Sequence, residues 1–385
     1  MKKNIIFIFI LGILLTIFIQ FYNYGTGAGD FSAYWSAAHL FITGDNPYDQ
    51  VAMTSLQQSI SSEGYSQGGS SLNVWNPPWL ILILAPLGVL PYKIAFLTWF
   101  FCNTVVIGII IIISWQMCAG TQKSRGILIS FIAGFLFAET LSYLVIGQIT
   151  GLVSLGMVLA IWWLDQKLDL LAGAVLLLTL IKPQISFFFL LILMIWILQN
   201  RRWKVIIGLV IALATTLIIF WIIDPSWIKD YFFLISNLPY SSTYTSTFGS
   251  FIASIFHINI FYFSALILIF LLKPFLHIVR RDGWLTTMNL SLLVSLPLSP
   301  YGFSFDQIVI LPSIVQVIAW LWNYKHSTKV TLTIIISLML FYTLDIKMHS
   351  IPKLENYWFF IIPIVFLAIY IIPWIMSHKS RNLSS

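Results

Sequence analysis

Acidic residues are scarce in this chain, thirteen among 385, so the place of each one is informative. Asp30 follows the first hydrophobic run and opens the stretch Asp30-Phe31-Ser32-Ala33-Tyr34-Trp35. The spacing sets Tyr34 one helical turn beyond it. A carboxylate in that position can act as a general base, taking the proton from a hydroxyl as it attacks an electrophilic carbon. The plainer reading is a helix N-cap, a role that aspartate fills often.

A second feature is cationic. Lys182 is the one charged residue within 170–198 and is followed by Pro183 and Gln184. Two short helices meeting at that proline would leave backbone groups free, and a lysine there can hold a phosphate as a point charge. The alternative is a lysine that snorkels from a helix end. Other polar clusters stand out against the apolar background: Asn73-Val74-Trp75-Asn76-Pro77-Pro78, Gly147-Gln148, and Ser299-Pro300-Tyr301 with Asp306. Gln148 has a hydrogen-bonding role toward a ligand or between helices. Glu139, in the same apolar run, reads as a structural bond to a neighbouring helix, and His257 and His349 are further candidates for phosphate contact. Asp45 and Asp49 lie in Gly-Asp-Asn-Pro-Tyr-Asp, which reads as a turn.

The elements that must position these residues are membrane helices. The chain is 59% hydrophobic and 9% charged, and apolar runs near the ~20 residues needed to cross a bilayer recur to the C-terminus. The pattern predicts an all-α polytopic membrane protein in one domain, 1–385, with about 12 transmembrane helices: 4–22, 92–117, 126–146, 149–164, 168–181, 184–199, 205–223, 258–272, 284–298, 307–322, 330–344 and 356–376. Residues 23–91 form a large first outer loop and 224–257 a second. The piece 79–90, bracketed by prolines, is too short to cross and reads as re-entrant or interfacial. The first run reads as a retained signal anchor, since no clear cleavage site follows it.

Charge orients this arrangement. Fifteen of the twenty lysines and arginines, including every arginine, fall on one side, which the positive-inside rule makes cytoplasmic together with both termini. Asp30, Gln148, Lys182, Tyr301 and Asp306 then share the outer face, as do Asp345 and Glu355. The net charge of +7 is explained by this bias and not by nucleic-acid binding. Cys102 and Cys118 read as small core residues. No D-x-D, H-E-x-x-H or Cys/His spacing points to a metal, and no Gly-rich loop points to a nucleotide cofactor.

The polar clusters, in order, resemble glycosyltransferase family 87. Carrying the resemblance are Asp30-x3-Tyr34 with Ala37-Ala38; Gly44-x2-Pro47-Tyr48; Asn76-Pro77-Pro78 with Ala85-Pro86-Leu87 and Leu90-Pro91; Gly147-Gln148; Lys182-Pro183; and Ser299-Pro300. They span about residues 1–312. One departure is that Trp75 stands one place earlier than the aromatic that often precedes the prolines. The resemblance implies a GT-C fold in the plasma (inner) membrane with an extracytoplasmic active site. It implies inverting, metal-independent transfer of a sugar, most often mannose, from a polyprenyl-phosphate donor to a glycolipid or glycan acceptor. No cofactor is expected. The family's base would fall on Asp30. Donor-phosphate contacts would fall on Lys182, with Gln184 and His349 as companions, and substrate contacts on Tyr34, Trp75, Asn76, Gln148, Tyr301 and Asp306. The alternatives are a lipid-linked oligosaccharide transporter, which should carry midplane charges and internal repeats, and an O-antigen polymerase or ligase, for which outward arginines are expected. The loop 61–71 is expected to cover the acceptor site without naming the acceptor.

Overall fold

The computed structural model describes residues 29–62, 72–119, 125–237, 245–256, 263–323, 328–351 and 356–382. The expected first span, nearly all of the 61–71 loop, and His257 lie outside them. The described residues form helices and connecting turns, in the order α1 Gly29–Thr43, α2 Gln50–Ser62, α3 Pro78–Gly88, α4 Tyr92–Ala119, α5 Arg125–Leu136, α6 Ala138–Ile146, α7 Thr150–Asp165 and α8 Asp169–Thr179. There follow α9 Pro183–Gln199, α10 Trp203–Ile223, α11 Ser226–Ser236, α12 Phe248–Phe256, α13 Phe263–Leu298, α14 Leu311–Asn323, α15 Thr328–Ser350 and α16 Ile361–Asn382. Short 3₁₀ turns at Ser304–Ile310 and Asn356–Phe360 precede α14 and α16.

Five helical segments among the described residues are long and apolar enough to cross a membrane: Tyr92–Cys118, Trp203–Ile223, Ser304–Trp322, Thr328–Ser350 and Tyr357–Met376. The span expected at 126–146 is broken, α5 and α6 meeting at 58°. With that pair taken as one span the number is six. The expected spans at 149–164, 168–181 and 184–199 are the shorter apolar helices α7, α8 and α9. The described part of the one at 258–272 and the whole of the one at 284–298 fall on the two halves of α13, which break at Gly283, whose φ of 82° only glycine adopts readily. The 79–90 piece is α3, an 11-residue helix too short to span.

The chain divides into two compact units. The first comprises 1–104, 144–148 and 216–238; the second comprises 105–143, 149–215 and 239–385. In the first, α1 packs against α3 at a glycine: a Cβ on Gly88 would stand 2.5 Å from the Ala38 carbonyl oxygen. Trp35 Nε1 donates to the Leu90 carbonyl (3.0 Å), and a ring nitrogen of His39 meets the Gly88 carbonyl at 2.8 Å. Asp49 accepts from the Val51 and Ala52 amides (2.7 and 3.2 Å) at the start of α2, as the turn reading expected.

In the second unit α8 and α10 approach through glycines. A Cβ on Gly173 would lie 1.9 Å from the Val205 carbonyl oxygen, and one on Gly208 2.1 Å from that of Leu170. Close small-residue contact of this kind is how membrane helices gain packing without a hydrophobic driving force. Buried amides supply the rest. Asn289 Nδ2 donates to Gln316 Oε1 (2.7 Å), Gln316 Nε2 donates to Thr286 Oγ1 (2.9 Å), and the Tyr370 hydroxyl also reaches Gln316. This ties α13, α14 and α16. Cys102, expected in the core, is an exposed free thiol on α4, and Cys118 is a half-buried one. Hydropathy alone cannot separate a lipid-facing from a core-facing position on an all-apolar helix.

Candidate active site

In the first unit, the site is built around the start of α1. Asp30 lies in the first turn of that helix, and its carboxylate accepts the side-chain amide of Gln148, 118 residues along the chain. The other end of that amide accepts the Tyr34 hydroxyl (3.3 Å). Tyr34 and Gln148 are buried, 6% and 1% exposed, so the amide is fixed from both ends while Asp30 stays partly open. Asp30 thus bonds across the fold, which an N-cap role alone would not require.

Gln148 is itself held by groups that the sequence did not single out. Asn103 Nδ2 donates to its carbonyl (3.0 Å), and Trp99 Nε1 donates to the carbonyl of Gly147 (2.9 Å). Gly147 has φ +71°, and a Cβ there would meet the Phe31 Cβ at 2.7 Å. Glycine is therefore required twice, for the backbone conformation and for the approach of α1. Asn76 contributes its backbone carbonyl to the Tyr48 hydroxyl (3.3 Å), while Asn46 Nδ2 donates to Asp230 (2.6 Å). Burial, with the phenol of Tyr231 nearby, holds the Tyr48 hydroxyl well above the ordinary tyrosine range. Trp75 is half-buried.

In the second unit Lys182 is 8% exposed, so it does not snorkel. Its Nζ is 2.7 Å from Asp306 and 3.0 Å from Thr150 Oγ1, and it lies 5.1 Å from the centre of the Phe305 ring. Asp306 also accepts from Thr150 Oγ1 (2.5 Å) and from the Phe303 amide (3.0 Å), which closes the 3₁₀ turn. Lys182 occupies the N-cap of α9 and Thr150 the first residue of α7. Two helix N-termini, both electropositive, thus meet at one ion pair. Gln184 is half-buried in the first turn of α9. Tyr301 turns edge-on to Phe303 at 5.2 Å, and its carbonyl accepts the Ser299 hydroxyl (3.3 Å).

The sequence model of glycosyltransferase family 87 matches residues 75–343. The chain belongs to glycosyltransferase family 87. No curated protein and no solved structure gives a significant match. With its apolar helices, family membership makes the protein a membrane glycosyltransferase, which uses a sugar donor and an acceptor. The transporter reading falls with it. The matched segment contains Gln148, Lys182 and Asp306 and runs well past the residues that carried the resemblance, into α15. It begins after Asp30 and Tyr34, so the family is assigned independently of the proposed base.

Asp345 is buried inside the second unit, where its Oδ2 accepts the Ala138 amide (3.1 Å). Beside it are Glu139, fully buried, and His349.

Proposed function

We propose that this glycosyltransferase moves a sugar, with mannose the first candidate, from polyprenyl phosphate to a hydroxyl of a glycolipid or glycan acceptor. The reaction takes place at the outer face of the plasma membrane on a GT-C scaffold. Asp30 takes the proton of the acceptor hydroxyl. The freed oxygen pair attacks the anomeric carbon, and the bond to the phosphate oxygen breaks with inversion, releasing polyprenyl phosphate. The observation that carries this reading is the Tyr34–Gln148–Asp30 chain. A base needs a fixed direction and a retained charge, and a neutral amide gives a carboxylate the first without removing the second.

The phosphate end of the donor is assigned to the Lys182 cluster. Helix N-termini favour anions, and Lys182, fixed by Asp306 and Thr150 in a pair of no net charge, adds an ammonium donor at a set position. Gln184, in the first turn of α9, is a further donor contact of this proposal. A lipid monophosphate leaves without a diphosphate to neutralise, so the transfer itself is proposed to proceed without metal or cofactor. Tyr301, Trp75 and Asn76 are proposed to contact the sugar or acceptor.

The test is reconstitution in lipid vesicles with polyprenyl-phosphate-mannose, a polyprenyl-phosphate-pentose and a nucleotide sugar, each with a panel of glycolipid and glycan acceptors. Product of inverted anomeric configuration from a lipid-linked donor supports the proposal. Product from the nucleotide sugar alone would overturn it.

A further inference from the structure

Glu139, Asp345 and His349 lie together in the second unit, and each can offer one ligand atom within 4.8 Å of the others. Both carboxylates are fully buried. Both oxygens of Glu139 and Oδ1 of Asp345 lack a hydrogen-bond partner among the described residues. A buried polar group without a partner carries a desolvation cost, and a buried charge a larger one. The two contacts that the carboxylates make with His349 are long for hydrogen bonds: Nε2 to Glu139 Oε2 is 3.5 Å, and Nδ1 to Asp345 Oδ1 is 3.6 Å.

The Nε2–Glu139 separation is of the order that divides ligands sharing a small ion, and one oxygen of Asp345 completes a set whose atoms all lie within 4.8 Å of one another. With metal–ligand bonds of about 2.0–2.2 Å, neighbouring ligand atoms in a tetrahedron stand about 3.3–3.6 Å apart. The surroundings hold the ligands as a metal site requires. His349 Nδ1 lies 3.1 Å from the Asp345 carbonyl; donation there leaves Nε2 unprotonated toward Glu139. The Ala138 amide holds Oδ2 of Asp345 and leaves Oδ1 toward the cluster. Phe359 packs edge-on against the imidazole at 4.8 Å, and its carbonyl is fixed by Gln307 Nε2 at 2.7 Å. Charge agrees as well. Two carboxylates, a neutral imidazole and a divalent ion sum to zero, whereas a protonated histidine would leave a buried negative charge.

We propose that Glu139, Asp345 and His349 bind a divalent cation of the zinc class. The ion staples the bend between α5 and α6 to the last turns of α15. Three protein ligands leave a fourth position for water on the side of His349, the more exposed of the three. The role is structural and is separate from the Asp30 chemistry proposed above.

The test begins with full-length protein purified in detergent without chelators. Metal content is measured by mass spectrometry; the protein is then stripped with EDTA and refilled with Zn²⁺, Mn²⁺ or Mg²⁺ while thermal unfolding is followed. One ion per chain is expected, with a rise in Tm on refilling of on the order of 5 °C. Glu139→Gln should lose both the ion and the rise. If that variant does not fold, His349→Ala serves, since its side chain is the more exposed. Replacing the exposed His277 with alanine should leave the stoichiometry unchanged. The proposal is overturned if none of the three ions shifts the stripped wild type. It is equally overturned if the Glu139 or His349 variant keeps a full complement of metal.

Discussion

The surroundings of Asp30 and of Lys182 handle charge in opposite ways. Asp30 is partly open and is directed by an amide, which orients a carboxylate without cancelling its charge. Lys182 is buried against Asp306, an ion pair that Thr150 and the Phe303 amide complete. A group that must gain a proton during a reaction needs its charge kept. A group that must only position an anion can be built into a pair whose rigidity fixes its place. The chain passes between the two units at Gln148 and Ile149, so the Gly147-Gln148 motif and Thr150 serve different clusters although only Ile149 separates Gln148 from Thr150.

The largest effect on stability should come from splitting the ion pair. Lys182→Ala leaves a buried carboxylate without its counter-ion and should cost about 3–5 kcal/mol, read as a fall in the denaturation midpoint in detergent. Lys182→Met with Asp306→Leu removes both charges and should recover most of that loss while still raising the KM for the lipid donor. Recovery of donor affinity together with stability would make the pair purely structural, and the contrast with Asp30 would sharpen.

Gly147→Ala comes next. The positive φ costs ~1–2 kcal/mol and the clash with Phe31 about 1–3 more. Because Gly147 adjoins Gln148, transfer should fall along with thermal stability. Gln148→Ala should act on chemistry more than on folding, lowering turnover about tenfold through loss of a bond to a charged group with donor KM little changed. An unchanged turnover would show that Asp30 is oriented by something else.

The smallest effect is one of pH. The Tyr48 phenol is held above its unfolded value, so its contribution is fully present below the unfolded pKa near 10 and is lost as pH rises above it. Wild type should therefore lose stability above about pH 10, and Tyr48→Phe should lose less in the same window.

Much of this was legible in the chain because the signals were local. The Asp30–Tyr34 spacing, Gly147-Gln148 and Lys182-Pro183 each mark a place where an apolar pattern is interrupted. Partners without such a mark were not legible. Thr150, Trp99 and Asn103 are ordinary residues on apolar helices, and only the fold brings them to Gln148 or Lys182. Asp345 and His349 stand one helical turn apart, but Glu139 is 206 positions from Asp345, so the set of three has no spacing to be read. The breaks within and between apolar helices were not legible for a similar reason. Hydropathy reports apolar residues, but not the bend beside Phe137 or the brevity of α8, which is set by Asp169 at one end and the turn before Pro183 at the other.

The central claim is that Asp30 removes the acceptor proton. It is tested most directly by comparing wild type with Asp30→Asn in reconstituted vesicles, measuring donor binding and single-turnover transfer separately. The substitution keeps the shape and removes the basic oxygen. Binding of polyprenyl-phosphate sugar should be unchanged while transfer falls by about 10²–10⁴-fold. Transfer at the wild-type rate from the asparagine variant would contradict the account.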